Sequence, residues 1–197
     1  MMPVIWLLGL SGSGKTTLGS LLRIYLETND YETEFIDGDA FRQQFGYSGF
    51  RPQDRLRNIS AMREHVLQLN AQDRICIVAA ITPYEAMRQK NREQFPLYRE
   101  VWVRCGLPTL LRRDPKDLYA RALRGEVQNL SGVSDVFDEP ANPDCIIDTD
   151  SLSLVGSYLK LRDFALEAIQ EGLQQPFAQH MRLGGGMSEL GFAYNFC

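Results

Sequence analysis

Short apolar runs alternate along most of this chain with longer segments of helical periodicity. Short, continuous apolar runs are typical of strands that are buried on both faces of a parallel sheet. The segments between them have an amphipathic pattern, which is typical of helices that cover such a sheet. The pattern therefore predicts an α/β fold, a parallel sheet with helices on both of its faces.

The same pattern gives bounds for each element. Strands are expected at 4–8, 34–36, 75–81, 100–103 and 145–147, and helices at 15–28, 52–71, 85–94, 108–112 and 152–173. In the helix at 52–71 the predicted buried stripe consists of Leu56, Ile59, Met62, Val66 and Leu69. In the last helix it consists of Leu152, Val155, Leu159, Leu166, Ile169 and Leu173.

A polar and charged stretch at 113–142 is too long for an ordinary connection between two elements. We interpret it as a lid or a disordered loop. Residues 1–173 are predicted to form one domain, and 174–197 a tail that is loosely ordered or contacts a partner. Aromatic residues at alternating positions near the end of this tail leave an edge strand or a partner contact open. A homodimer is also an open alternative.

Composition and charge argue against several classes of protein. The 197 residues are 44% hydrophobic and 23% charged, as in an ordinary globular protein, and the formal net charge is −4. Binding to a phosphate backbone requires a basic face, so no nucleic-acid partner is expected. No apolar segment reaches the length of a membrane span, and the short apolar start lacks the features of a signal peptide. We therefore expect no membrane partner.

The cysteines and histidines do not suggest a metal site. Cys76, Cys105, Cys145 and Cys197 are far apart and form no CxxC pair, and the only histidines are His65 and His180. The first three cysteines lie in apolar runs, which predicts buried and inert thiols. A reducing, cytoplasmic location is therefore expected.

The strongest chemical signal is Gly-Leu-Ser-Gly-Ser-Gly-Lys-Thr at 9–16, which matches the P-loop pattern GxxxxGKT between an apolar strand and an amphipathic helix. Its glycines let successive N–H groups and the helix N-terminus face the phosphates of ATP. Lys15 adds a positive charge, and the Thr16 hydroxyl is suited to ligate Mg²⁺. The predicted ATP-binding residues are Gly9, Ser11, Gly12, Ser13, Gly14, Lys15, Thr16 and Thr17.

Two carboxylates, Asp37 and Asp39, follow the second predicted strand and are expected at the carboxyl edge of the sheet. One can hold Mg²⁺ or its water, and the other can take a proton from an attacking hydroxyl, as a small-molecule kinase requires. We assign Asp37, with Thr16, to the metal; an Asx-type turn is the alternative interpretation. The chain lacks the DxxG and Asn/Thr-Lys-x-Asp motifs of GTPases.

Further motifs follow in order across residues 5–148. They are Asp37-Gly-Asp-x-x-Arg42, Phe50 with Asp54-Arg55-x-x-Asn58-Ile59, Ile81-Thr82-Pro83-Tyr84, Arg113-Asp-Pro-Lys-x-Leu-Tyr119, Glu139-Pro-x-Asn142-Pro143 and Ile147-Asp148-Thr149. Together with the P-loop, this set resembles the adenylylsulfate kinase (APS kinase) family. The resemblance implies a P-loop kinase fold and the transfer of a phosphoryl group from ATP to the 3'-hydroxyl of adenosine 5'-phosphosulfate, also called adenylyl sulfate.

The resemblance also implies the contacts with substrate. Arg55 and Asn58 share a helix face, so a guanidinium and an amide can converge on one anion. Closure of a lid that carries Lys116 would exclude water. The implied substrate-binding residues are Asp39, Arg42, Phe50, Arg55, Asn58, Ile81, Thr82, Lys116 and Leu130, and the implied catalytic residues are Lys15, Asp37, Asp39 and Thr82.

The chain departs from the family pattern at four positions. Ala40 replaces an asparagine, Thr82 a serine, Glu85 an arginine, and Leu130 a phenylalanine that would stack on the substrate adenine. Two alternatives therefore stay open: a P-loop kinase of another small hydroxylated anion, and a nucleotide-binding protein that has lost turnover.

Overall fold

The computed structural model describes residues 1–47, 49–114 and 116–174. The strands are β1 (Val4–Leu8), β2 (Thr33–Asp37), β3 (Ile75–Ala79), β4 (Tyr98–Arg104) and β5 (Cys145–Asp148). Within the described residues they form one sheet in the order β2-β3-β1-β4-β5, and every pair of neighbours is parallel. The predicted parallel sheet is confirmed.

Helices connect the strands. They are α1 (Lys15–Thr28), α2 (Gly38–Gln44), α3 (Pro52–Asn70), α4 (Glu85–Gln94), α5 (Leu107–Arg113), α6 (Leu118–Leu123) and α7 (Leu154–Gln174). The five predicted helices are confirmed with small shifts at their ends, whereas α2 and α6 were not predicted. The third strand ends at Ala79, so Ile81 lies beyond it, in the connection to α4.

Side chains of β1 alternate between two apolar cores, one on each face of the sheet. Trp6 packs in a cluster with Met62 of α3. Leu7 packs in the other cluster with Leu22 of α1 and Leu161 of α7. Since all residues of β1 are buried, both faces of the sheet are covered by helices, as predicted.

The unpredicted helix α2 depends on a cap more than on an apolar stripe. Phe41 is its one buried residue, so periodicity gave no signal for it. The Oδ1 atom of Asp37 accepts hydrogen bonds from the N–H groups of Asp39 and Ala40, each at 3.0 Å. These amides belong to the first helical turn and have no partner within the helix, so the carboxylate stabilises its start.

The predicted buried stripe of the last helix is largely wrong. Val155 is 66% exposed and Leu173 is 60% exposed. The buried face is made mainly of smaller residues, which are Ser157, Leu161, Ala165, Ala168, Ile169 and Gly172. A Cβ atom on Gly172 would lie 2.6 Å from the carbonyl oxygen of Met1, which shows how closely this face approaches its neighbours. Small residues can form the closely packed face of a helix, so large apolar residues alone do not mark the buried side. Leu56 of α3 is likewise exposed.

The described part of the predicted lid is a packed layer. Tyr119 and Leu130 are buried there in a third apolar cluster with Cys105 and Leu110, and Leu10 of the P-loop packs against it. The alternative of a disordered loop therefore does not fit these residues. Movement of the segment as a lid stays a prediction.

The tail from residue 175 onward, including His180, Cys197 and the predicted edge strand, lies outside the described residues. The end of the domain at residue 173, a homodimer and a cytoplasmic location therefore stay predictions. The cysteines of the described part are buried and free, as expected. In that part of the chain, no helix combines the length and the apolar character needed to cross a membrane.

Replacement of Gly9 by alanine should destabilise the protein by more than backbone strain alone. Gly9 has φ 145°, and an added Cβ would lie 2.3 Å from the carbonyl oxygen of Val103. Strain and overpacking together predict a loss of about 2–6 kcal/mol in the free energy of unfolding. Gly46→Ala is the matched control, because Gly46 also has a positive φ, of 69°, and a Cβ there would meet no atom within 4 Å. Chemical denaturation of both variants checks this, and equal losses would contradict it.

Candidate active site

A cleft of about 680 Å³ lies beyond the carboxyl ends of β1, β2 and β3. Its walls are formed by the P-loop, the start of α2, the first turns of α3, the connection after β3 and part of the predicted lid. The predicted site residues that line it are Ser11, Gly12, Gly14, Lys15, Thr16, Thr17, Asp37, Asp39, Arg42, Phe50, Arg55, Asn58, Ile81, Thr82, Lys116 and Leu130.

Two predicted site residues, Gly9 and Ser13, do not line this cleft. Gly9 lies against the backbone of Val103, where only hydrogen fits. Ser13 is fully buried, and its hydroxyl is 3.5 Å from the Lys15 ammonium. Both residues therefore support the loop on the side that faces the protein interior.

The P-loop has the backbone geometry of an anion site. Gly9, Gly12 and Gly14 all have positive φ angles, which residues with a Cβ rarely adopt. Helix α1 begins directly after the loop at Lys15, and it has no side-chain cap at its N-terminus. The first N–H groups of a helix have no partners within the helix, so they are available to an anionic ligand in the cleft.

Lys15 is held inside the loop. Its side chain is 8% exposed, and its ammonium donates a hydrogen bond to the carbonyl oxygen of Leu10 at 2.7 Å. The pKa of Lys15 is lowered to about 8, mainly by burial; Asp39 opposes this shift, the charge of Lys116 adds to it, and Asp37 opposes it. An anion bound beside Lys15 would raise this pKa, because it favours the charged form.

Asp37 joins the P-loop to α2. The Thr16 hydroxyl donates a hydrogen bond to its Oδ2 atom at 2.7 Å, while Oδ1 caps α2. The Asp37 side chain therefore forms the Asx-type turn with one oxygen and contacts Thr16 with the other, so both interpretations of this residue describe its contacts. Asp39 is more open: its side chain is 63% exposed and forms an ion pair with Lys116 of the predicted lid.

Phe50 and two arginines form the opposite wall. The guanidinium carbon of Arg42 lies 4.8 Å from the centre of the Phe50 ring, and that of Arg55 lies 5.7 Å from it. These distances allow cation–π attraction. Phe50 is 50% exposed, so it is not a core residue and offers ring surface to the cleft.

Arg55 is buried and connects this wall to the predicted lid. Its Nε atom donates to the carbonyl of Phe50 at 3.0 Å, and its Nη2 atom donates to the carbonyl of Asn129. Its Nε atom also lies 3.4 Å from the carboxylate of Asp135. Arg55 is therefore held on several sides, with a fixed orientation.

Two polar atoms of the cleft lack partners among the described residues. They are Oδ1 of Asn58, a residue that is 3% exposed, and Nε of Arg42. A buried polar atom without a hydrogen bond is costly and commonly indicates a missing ligand or water. One acceptor and one donor on residues that line the cleft are thus left without a hydrogen bond by the described part of the chain.

Thr82, which the resemblance implies to be a catalytic and substrate-binding residue, lies in a buried turn after β3. It is fully buried and has φ 45°, and its hydroxyl accepts a hydrogen bond from the Trp6 indole at 2.8 Å. The buried Arg88 donates to its carbonyl at 3.2 Å. Sequence reasoning missed Trp6 and Arg88, since neither has a spacing that points to this turn. The catalytic role of Thr82 stays a prediction.

The departures at positions 85 and 130 have different consequences. Glu85 forms ion pairs with Arg88 and Arg92 and is not among the residues that line the cleft. Leu130 lines the cleft with an aliphatic side chain that is 6% exposed. Only the second departure changes the surface offered to a ligand.

A P-loop between β1 and α1, two carboxylates after β2 and an arginine-rich wall across the same cleft define the class of the protein: an α/β P-loop kinase. A solved structure has the same fold. The Mycobacterium tuberculosis APS kinase, in complex with AMPPNP and APS, is 28% identical with a TM-score of 0.75, over 86% of this chain and 96% of the other.

The sequence comparisons show the family. The chain belongs to the adenylylsulphate kinase family, whose sequence model matches residues 1–148. A probable adenylyl-sulfate kinase of Archaeoglobus fulgidus is 39% identical over 148 residues, which are 75% of this chain and 96% of that protein. An adenylyl-sulfate kinase of Chloroflexus aurantiacus is 40% identical over 152 residues, 77% of this chain and 82% of that protein.

ATP affinity should fall as the pH rises above the pKa of Lys15, which is about 8. In this range ATP binding must add a proton to Lys15, so each further pH unit weakens binding by up to about tenfold. Below the pKa the lysine is already charged, and the affinity should level off. Calorimetry one pH unit below and one above the pKa, in buffers of different ionisation enthalpy, measures both the affinity and the proton uptake. Lys15→Arg should lose this dependence, because arginine stays charged; an unchanged slope in that variant would contradict the assignment to Lys15.

Proposed function

We propose that this chain transfers the terminal phosphoryl group of ATP to the 3'-hydroxyl of adenosine 5'-phosphosulfate, giving 3'-phosphoadenylyl sulfate and ADP. The observation that carries the proposal is a single cleft with an anion-binding loop on one wall, unpaired Arg42 and Asn58 atoms on the other, and carboxylates between them. Family membership and the match to an APS kinase that holds AMPPNP and APS support it.

The P-loop wall would bind ATP. The free N–H groups at the start of α1 and the Lys15 ammonium would surround the β- and γ-phosphates. Lys15 would exchange its hydrogen bond with the Leu10 carbonyl for a phosphate oxygen. This exchange would bring positive charge to the oxygens on which negative charge develops during the transfer.

The opposite wall would bind the acceptor. Phe50 offers a ring on which an adenine can stack, and Arg42 and Arg55 lie beside this ring. Arginine is suited to a sulfate or phosphate, because its guanidinium can donate two parallel hydrogen bonds. The unpaired oxygen of Asn58 would accept a hydrogen bond from a ligand N–H or O–H group.

Asp39 is better suited than Asp37 to act as the general base. Both oxygens of Asp37 already accept hydrogen bonds, from Thr16 and from the start of α2. Asp39 lines the cleft, and among the described residues its carboxylate is paired only with the flexible side chain of Lys116. It can therefore turn to accept the proton of the acceptor hydroxyl.

The residues present fit Mg²⁺ as a cofactor held mainly by the nucleotide. No group of three or more His, Cys, Asp and Glu side chains in the described residues could enclose a metal ion. Magnesium in kinases needs little from the protein, since it keeps several waters and binds the substrate phosphates. The Thr16 hydroxyl and the Asp37 carboxylate, 2.7 Å apart beside the P-loop, would hold it and its water. When bound, it would neutralise charge on the phosphates.

One alternative acceptor class is favoured by a specific observation. Leu130 presents an aliphatic surface to the cleft where the family pattern has a phenylalanine. A base stacked on an aromatic ring gains about 1–3 kcal/mol, so loss of one stacking partner could relax selection for an adenine nucleotide. Another small hydroxylated anion is the second candidate acceptor.

Replacement of Lys15 by alanine should abolish turnover. An assay that couples ADP formation to NADH oxidation, with adenylyl sulfate as acceptor, should show a fall of at least about 100-fold in kcat, because a charge that stabilises the transition state is lost. Lys90→Ala is the control, since Lys90 is exposed on α4 and does not line the cleft. If wild-type protein that binds ATP forms no ADP with adenylyl sulfate, the proposal is wrong.

A panel of possible acceptors distinguishes the two candidates. A kcat/KM that is orders of magnitude higher for a different metabolite than for adenylyl sulfate would favour the second candidate.

Replacement of Arg42 by alanine should weaken the acceptor site and leave the nucleotide site intact. Loss of a charged hydrogen-bond donor is expected to raise the KM for adenylyl sulfate by about 10- to 100-fold, with little change in the KM for ATP. Arg57→Ala removes the same charge from an exposed position that does not line this cleft, so it should change neither value. Initial rates with each substrate varied in turn provide the measurement. Equal effects of the two substitutions would show that Arg42 acts only through the overall charge.

A further inference from the structure

Besides binding phosphates, the P-loop needs hydrogen-bond donors for its own buried carbonyl oxygens. A loop that turns N–H groups toward an anion turns other backbone groups toward the protein, and buried carbonyl oxygens need donors. Two of these oxygens accept hydrogen bonds within the loop and α1: that of Leu10 from Lys15 and from the N–H of Ser13, and that of Gly14 from the N–H of Leu18. The carbonyls of Ser11 and Ser13 have donors from farther along the chain.

Tyr119 supplies the donor for Ser11. It lies in α6, inside the predicted lid, and is 1% exposed. Its hydroxyl donates a hydrogen bond to the Ser11 carbonyl oxygen at 2.8 Å. Asp114 holds the start of this helix, because its carboxylate accepts hydrogen bonds from the N–H groups of Tyr119 and Ala120. The Tyr119 hydroxyl therefore contacts the loop from a helix whose first turn is held in place by Asp114.

Thr149 supplies the donor for Ser13. It follows β5 and is 9% exposed, and its hydroxyl oxygen is 3.2 Å from the carbonyl oxygens of Ser13 and Arg104. The Arg113 guanidinium donates to this hydroxyl at 3.1 Å and to the Thr149 carbonyl at 2.8 Å. Since Arg113 uses the hydroxyl as an acceptor, its single hydrogen is directed to the two carbonyls. The Arg104 carbonyl already accepts a hydrogen bond from the Thr149 N–H at 2.9 Å, so the Ser13 carbonyl is the one that needs this hydroxyl as a donor.

We propose that Tyr119 and Thr149 are positioning residues for ATP binding, which hold the P-loop in its anion-binding shape through the carbonyls of Ser11 and Ser13. Neither side chain needs to touch the phosphates to have this effect. The two hydroxyls come from segments more than 100 residues away in sequence, so they fasten the loop to the lid and to the end of β5. Tyr119 thereby makes the shape of the loop depend on the packing of the lid.

This proposal rests on the proposed function only as far as the P-loop binds ATP. It does not depend on adenylyl sulfate as the acceptor. Direct binding of a nucleotide therefore tests it separately from turnover. A chain that binds ATP but phosphorylates another metabolite would overturn the proposed function and leave this inference standing.

The test uses single substitutions in the full chain that remove one hydroxyl and keep the shape of the side chain. Tyr119→Phe and Thr149→Val should each weaken binding of Mg²⁺ with AMPPNP by roughly 3- to 10-fold in calorimetry, the range expected for loss of one hydrogen bond. Thr149→Ser keeps the hydroxyl and should restore binding to near the wild-type value. The KM for adenylyl sulfate at saturating ATP should change less than the nucleotide affinity.

Tyr84→Phe is the matched control for Tyr119→Phe. It also removes one tyrosine hydroxyl that binds the lid, but its partner is the carboxylate of Asp135 at 2.8 Å, on the acceptor side. This variant should bind the nucleotide as the wild type does. A stability measurement on every variant separates a fall in the free energy of unfolding from a change in the site.

Hydrogen exchange provides a readout that a merely structural role would not change. In the nucleotide-free protein, the amides of 9–14 should exchange faster in Tyr119→Phe and in Thr149→Val than in Tyr84→Phe. Nucleotide affinity and loop exchange that match the wild type in both variants would overturn the proposal, even if the protein became less stable. Weaker binding with faster exchange confined to this loop would support it.

Discussion

Backbone N–H groups can converge on a phosphate only if the rest of the loop is satisfied by the protein behind it, and this constraint organises the surroundings of the cleft. Gly9 lies so close to the Val103 carbonyl that a side chain does not fit. Tyr119 and Thr149 donate hydrogen bonds to loop carbonyls from two other segments. The loop is thus built jointly by β1, β4, the end of β5 and the predicted lid.

The order of the strands places this loop next to the other segments of the site. β3 lies between β1 and β2, so the P-loop, the connection that contains Thr82 and the two carboxylates follow three adjacent strands. The strands are parallel, so all three segments meet at one edge. The hydrogen bond from Thr16 to Asp37 closes the gap between the first and the last of them. The fold therefore brings the phosphates and the carboxylates together without any contact between distant domains.

Much of this arrangement could be predicted from the sequence, because the P-loop and the acidic pair each have a fixed spacing and a required position after a strand. Other features could not. α2 is started by the Asp37 carboxylate and has one buried residue, so it leaves no periodic pattern. The buried face of α7 consists largely of small residues, which a search for large apolar side chains passes over. The contacts of Trp6 and Arg88 with Thr82 depend on the tertiary packing of β1, α4 and the connection after β3.

The electrostatic contrast between cleft and surface affects how an anion reaches the site. Four basic residues, Lys15, Arg42, Arg55 and Lys116, line the cleft with two acidic ones, Asp37 and Asp39, whereas the chain as a whole carries a net charge of −4. At low ionic strength the distant surface charges repel a nucleotide before the cleft can attract it. Screening acts over about 10 Å at 0.1 M salt, so it weakens this repulsion more than the contacts inside the cleft. Moderate salt should therefore favour the encounter of this enzyme with its anionic ligands, the reverse of the behaviour of a protein with a basic surface.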